Sequence, residues 1–117
     1  MKKVLIVDDA AFMRMSIKRI LEKNGFQIIG EAENGQVGVK KYAELNPDIV
    51  TLDITMPEMD GITALKEIRK IDCNAKVVIV SAMGQEGYVR EAVMCGAKSF
   101  IVKPFTEEHF IKALNSI

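Results

Sequence analysis

A doubly wound α/β domain of (βα)5 type, with a five-stranded parallel sheet, is the fold class the sequence predicts. Three observations predict it. Short apolar runs rich in Val and Ile alternate five times with segments of helical period. Several of these runs are continuously apolar, the pattern of strands covered on both faces. The connections between them are short, and the 117 residues contain no linker, repeat or low-complexity stretch, so one domain is expected over residues 1–117.

The first run is KVLIV (3–7), followed by a helix over 10–24 in which Met13, Ile17, Ile20 and Leu21 share a face. Asp9 is its candidate N-cap, and Gly25 stands just past its end. QIIGE (27–31) is the least apolar run and suits a sheet edge. A helix over 35–45 follows Asn34 and ends before Pro47. DIVTL (48–52) is the third strand, after which Ile62, Leu65 and Ile68 mark a helix that Asp60 could cap. KVVIV (76–80) leads to a shorter helix marked by Val89, Ala92 and Val93 and stopped by Gly96. After SFIV (99–102), Thr106 opens the last helix. Glu107 and Glu108 there suit the positive end of the helix dipole, and Phe110, Leu114 and Ile117 face inward. Right-handed crossovers then place helices on both faces of the sheet.

Bulk properties exclude several classes of function. Sixteen basic and sixteen acidic residues cancel, so no global field draws the chain to nucleic acid or anionic lipid. No apolar run approaches the roughly 20 residues of a membrane span. MKKVLIVDD begins like a secretory signal, but its apolar stretch is only VLIV, acid follows, and no small-residue cleavage site is present. A soluble, cytoplasmic protein is expected. Cys73 and Cys95 form no CxxC and read as free, partly buried thiols. His109 is the only histidine and reads as a surface residue, which removes histidine-based triads and most zinc sites.

Ligands of such sheets bind at the carboxyl ends of the strands. There the sequence places Asp8 and Asp9 after strand one, Asp53 after strand three, Ser81 after strand four and Lys103 after strand five. Singly these have plain readings: an Asp caps a helix, a Lys is a solvated charge. Together, at four strand ends, they describe one site. Three crowded carboxylates repel, and at least one would have a raised pKa without a cation. Mg²⁺ resolves the repulsion, because it takes a few carboxylates, water and a phosphate oxygen. Lys103 and Ser81 suit the remaining phosphoryl oxygens. Asp53 is central, and an aspartate carboxylate is a nucleophile known to form aspartyl phosphates.

Through VDD (7–9), LDITMPEMDG (52–61), SAMG (81–84) and KPF (103–105), the sequence resembles the receiver domain of two-component response regulators. The likeness spans essentially the whole chain. The opening VLIVDDAAFMR is most similar to single-domain chemotaxis members of that family. The resemblance implies a flavodoxin-like fold with strand order 2-1-3-4-5. It implies Asp53 as phosphoacceptor, Asp9 and Asp53 as direct Mg²⁺ ligands, Asp8 acting mostly through water, and the Thr55 backbone carbonyl as a further ligand. Ser81 would be the switch hydroxyl, where threonine is commoner, and Lys103 would bind phosphoryl oxygens, with a cis Lys103–Pro104 bond. Pro57 and Gly61 would shape the loop after Asp53, Gly61 permitting a close turn. Phe100 takes the aromatic switch position without a tyrosine hydroxyl. Thr55 and Met83 would border the route of attacking water.

The implied function is a monomeric signalling switch rather than an enzyme, self-phosphorylating from phosphodonors and dephosphorylating itself. Its implied partners are a sensor histidine kinase, the flagellar motor switch, reached through a surface over residues 87–116, and a phosphatase. A phosphorelay intermediate is the alternative. A transcription regulator is less expected, because the sequence ends after helix five. A flavin module is disfavoured, since DDAAFM would repel the flavin phosphate. An aspartate-based phosphatase is disfavoured by Thr55 standing where a second acid is needed, and an ATP-dependent kinase by the lack of a Gly-rich nucleotide loop.

Overall fold

Among the described residues five strands and five helices alternate: β1 (Lys3–Val7), α1 (Ala11–Lys23), β2 (Gln27–Ala32), α2 (Gly35–Leu45), β3 (Ile49–Asp53), α3 (Gly61–Ile71), β4 (Val77–Ala82), α4 (Glu86–Met94), β5 (Ser99–Lys103) and α5 (Glu107–Asn115). The structure, a computed structural model, describes residues 2–56 and 59–117. All strand pairs are parallel, in the order β2-β1-β3-β4-β5, with β2 at an edge as its composition suggests. Among the described residues no helix is long and apolar enough to cross a membrane.

Alternation along each strand sends neighbouring side chains to opposite faces. On one side Leu5, Val7, Leu52, Val77 and Ile79 pack with Leu65, Ile68 and Ala92. On the other, Val4, Ile6, Ile49, Val78, Val80 and Ile101 pack with Ile17, Leu21, Phe110 and Leu114, and Ile117 rests against them. Each fully buried Leu or Ile contributes about 1.5–3 kcal/mol, so two covered faces fix the strand register.

Three helices start as their sequences indicate. Asn34 accepts from the Val37 amide at 2.8 Å, Asp60 from the Thr63 amide at 2.8 Å, and Thr106 from the His109 amide at 3.1 Å. The first helix differs from expectation. Its N-cap position is Ala10, with no side-chain cap, so Asp9 does not cap it. Asp8 supplies the local bond instead, its Oδ1 accepting from the Ala10 amide at 2.9 Å, and Asp9 stands beside the other acids. Past α1, Gly25 has φ +86°, a turn conformation that glycine adopts without strain.

Both cysteines are free, but Cys73 is exposed and only Cys95 is partly buried. His109 is exposed. Tyr42 is buried under α2, and its hydroxyl donates to Asp72 Oδ2 at 3.2 Å. Burial, with the Asp72 charge second, pushes the Tyr42 phenol up to about 12. The folded chain therefore keeps a proton that the unfolded chain loses near pH 10, and stability should fall as pH rises from about 10 to 12. Tyr42→Phe should remove that alkaline loss and, at pH 7, cost about 0.5–1.5 kcal/mol for the hydrogen bond. Denaturant melts of both proteins at pH 7 and pH 11 read both effects.

Candidate functional site

The carboxyl edge of the sheet gathers four charged side chains. Asp53 is the last residue of β3 and Lys103 the last of β5, so sheet hydrogen bonds hold both backbones. Asp8 directly follows β1, which pairs with β3. Carboxylate oxygens of Asp8, Asp9 and Asp53 all lie within 4.8 Å of one another. The Lys103 ammonium reaches over them, with Nζ 3.2 Å from Asp8 Oδ2 and 3.8 Å from Asp53 Oδ1. Asp8 and Asp53 are 1% and 6% exposed, so their charges are little screened by water. Asp9 is exposed.

Alternation explains the convergence. Asp8, Asp53 and Lys103 lie two residues past Ile6, Thr51 and Ile101, which puts all three on the side of the sheet covered by α1 and α5. Asp8 is also held through its backbone, because Arg14 Nη1 donates to its carbonyl at 2.7 Å. Glu31 pairs with Arg14 Nε at 3.4 Å and steadies it there.

Burial is the main force on Asp53 and raises its pKa. Asp8 raises it further, Lys103 lowers it, Asp9 raises it, and a hydrogen bond from the Thr55 amide lowers it. The balance lifts the carboxyl from 3.8 to about 6. One positive charge does not compensate three acids, and the deficit is what a hard cation with oxygen ligands would supply.

Ser81 belongs to β4 and takes the opposite face. Its Oγ is fully buried and has no hydrogen-bond partner among the described residues. It lines an apolar groove of about 390 Å³ between α4 and β5, with Val89, Val93, Phe100 and Val102. Phe100 is 49% exposed at that groove. The structure thus brings Asp8, Asp9, Asp53 and Lys103 into one cluster, and sets Ser81 and Phe100 together in a neighbouring one.

Thr55 is exposed, and its Oγ1 accepts from Gln85 Nε2 at 2.6 Å. Gln85 Oε1 in turn accepts from the Ala82 amide at 2.7 Å. Met83, on the same loop, is exposed. Gly61 donates its amide to the Ile54 carbonyl at 2.6 Å. A Cβ there would collide with the Asp53 carbonyl and stand 2.6 Å from Ile54 Cα, so close approach, rather than a positive φ, demands glycine. Pro57 lies outside the described residues. The Lys103–Pro104 bond is cis.

Sequence reasoning missed Arg14 and Gln85. An arginine in an amphipathic helix reads as a solvated charge, and nothing local marks its hold on the Asp8 carbonyl. Gln85 meets Thr55 only through the pairing of β3 with β4.

The model of the response regulator receiver domain matches residues 4–115. The chain is 61% identical to chemotaxis protein CheY of Bacillus subtilis over 113 residues, covering 97% of this chain and 94% of that protein. It is also 61% identical to CheY of Thermotoga maritima over 116 residues, covering 99% and 97%. Among solved structures it is similar to the CheX-CheY-BeF3-Mg complex from Borrelia burgdorferi, with TM-score 0.93 and 45% identity, over 98% of this chain and 87% of that one. CheY is a standard example of the doubly wound sheet in this strand order, so the order is a property of the family and not an independent result. With the family's motifs at the strand ends and its model across nearly the whole chain, this protein belongs to the response regulator receiver domain family, as a CheY-like signalling protein of chemotaxis.

Proposed function

We propose that this protein is a phosphorylation switch in which Asp53 accepts a phosphoryl group from the phosphohistidine of a sensor histidine kinase. The observation that supports it best is a nearly buried carboxylate held between two further acids and a lysine ammonium at a strand end. Asp9, Asp53 and the Thr55 carbonyl would hold Mg²⁺, with Asp8 acting mostly through water. The donor set is all oxygen, which fits that ion. When bound, the ion neutralises negative charge on the carboxylates and the phosphoryl oxygens.

The chain's own residues do the rest. An Asp53 oxygen attacks phosphorus in line, and the bond to the donor nitrogen breaks. Lys103, already 3.8 Å from Asp53, offsets charge on the transferring group. The acyl phosphate is open to water, so autodephosphorylation follows, and small phosphodonors serve as well as a kinase. The new group adds about −1.5 to −2 charges and strong acceptor oxygens, which give the unpartnered Ser81 hydroxyl a partner. As Ser81 moves, Phe100 can turn into the groove behind it, and the face made by α4, β5 and α5 changes its affinity for the flagellar motor switch. A phosphatase that ends the signal is a further expected partner, and the CheX complex of the Borrelia relative supports a second protein contact.

Acetyl phosphate with Mg²⁺, followed by intact-mass analysis, tests the acceptor. One phosphate is expected on the wild type, none after EDTA treatment beforehand, and none on Asp53→Asn. A label that survives in Asp53→Asn places the acceptor elsewhere. Binding to a motor-switch peptide, stronger with phosphodonor than without, separates the motor switch from a phosphorelay role.

A further inference from the structure

Gln85 occupies the N-cap position of α4, yet its side chain makes no bond to its own helix. Both ends of its amide reach sideways. Oε1 accepts from the backbone amide of Ala82, the residue after Ser81, at 2.7 Å. Nε2 donates to Oγ1 of Thr55, the second residue after Asp53, at 2.6 Å. One side chain therefore ties the loop that follows the acceptor to the loop that carries the buried hydroxyl. The geometry is that of a bridge, and both anchors are residues the proposed phosphorylation must disturb.

Resting on that phosphoacceptor reading, we propose that Gln85 is a positioning residue, a latch that holds the β4–α4 loop and Thr55 in the resting arrangement and must release for Ser81 to reach a phosphorylated Asp53. Ser81 and Ala82 are adjacent, so a shift of the hydroxyl toward Asp53 carries the Ala82 amide with it and stretches the bond to Gln85. The Thr55 hydroxyl, exposed and two residues from the acceptor, is occupied while the latch is closed and free once it opens. The latch thus biases the equilibrium toward rest by the strength of two hydrogen bonds. Losing one of ordinary net strength changes such an equilibrium by about three- to tenfold, and losing both changes it by more. The energy lies in the resting form alone, so its removal favours the phosphorylated form.

The test uses the whole chain with Mg²⁺ and beryllofluoride as the stand-in for a phosphoryl group, followed by NMR of backbone amides. Without beryllofluoride, the Ala82 amide should exchange with solvent about tenfold faster in both Gln85→Ala and Gln85→Leu than in wild type. With it, both variants should half-saturate at a concentration at least about threefold lower. Thr55→Val, which keeps the backbone carbonyl, should add less than about twofold on top of Gln85→Ala, because the two residues act through one bridge. Half-saturation within about twofold of wild type, a shift to higher concentration, or full additivity with Thr55→Val overturns the latch. A wild type deaf to beryllofluoride overturns the acceptor reading and the latch's role with it, and is recognisable because protection of the Ala82 amide persists.

Discussion

Asp53→Asn should melt about 8–12 °C above the wild type at pH 7 in EDTA. The wild-type carboxyl, lifted from 3.8 to about 6, costs on the order of 2–3 kcal/mol when ionised, from about 1.4 kcal/mol per pKa unit. Below pH 3.8 both folded and unfolded chains carry the proton, and the site imposes no charge penalty. As pH rises from 3.8 through about 6 the unfolded chain releases its proton first, and wild-type stability is progressively lost. Asparagine has nothing to titrate, so its advantage should be full at pH 7 and absent near pH 3.8. Millimolar Mg²⁺ should narrow the gap, because an ion that binds only the folded acids stabilises the wild type selectively. Scanning calorimetry across pH, with and without Mg²⁺, reads all three outcomes. Equal melting temperatures at pH 7 in EDTA would mean that the acidic crowding is already relieved within the chain.

Gly61→Ala should be the most damaging single methyl group near the site. The added Cβ meets the Asp53 carbonyl and the Ile54 Cα, which are backbone atoms and cannot rotate aside. Such overpacking costs about 1–3 kcal/mol, or about 4–12 °C in melting temperature. The larger effect falls on chemistry. Moving a reacting group by about 1 Å can cost about 100-fold, so the rate of labelling by acetyl phosphate should fall by that order even at temperatures where the variant is folded. Gly87→Ala is the matched control. It lies within α4, a Cβ there meets nothing within 4 Å, and alanine favours helix, so stability should hold or rise slightly and labelling should be unaffected. A Gly61→Ala protein that labels at the wild-type rate would show that the loop gives way without moving Asp53.

Much of this site is legible in the sequence because the fold converts order into position. Once the apolar runs are read as parallel strands, residues at their ends share an edge, and Asp8, Asp53 and Lys103 all fall on it. Asn34, Asp60 and Thr106 are legible as caps because a cap bonds only three residues ahead. Asp9 reads as a cap for the same local reason, although the N-cap position is Ala10. Two adjacent acids compete for one helix start, and the choice depends on how each carboxylate is pulled by groups distant in the chain. The bridge through Gln85 and the anchoring of Asp8 by Arg14 leave no mark in periodicity, since their partners are fixed by strand pairing and by loop paths. Ser81 was legible as a strand-end hydroxyl, but its place on the face opposite Asp53 follows from counting alternate residues along β4, which needs the strand to be placed first.

Alternation along β4 and β5 bears on how such a protein diversifies. The pleat of β4 and β5 is a partition: charge chemistry lies to one side of it, and the groove that α4 shares with Phe100 and Val102 lies to the other. On the proposed reading, in which this face meets the target, side chains at 93, 94, 100 and 102 could be exchanged to address a different listener while the acids and the lysine stay as they are. A lineage could then rewire where its message goes without rebuilding the means of writing it.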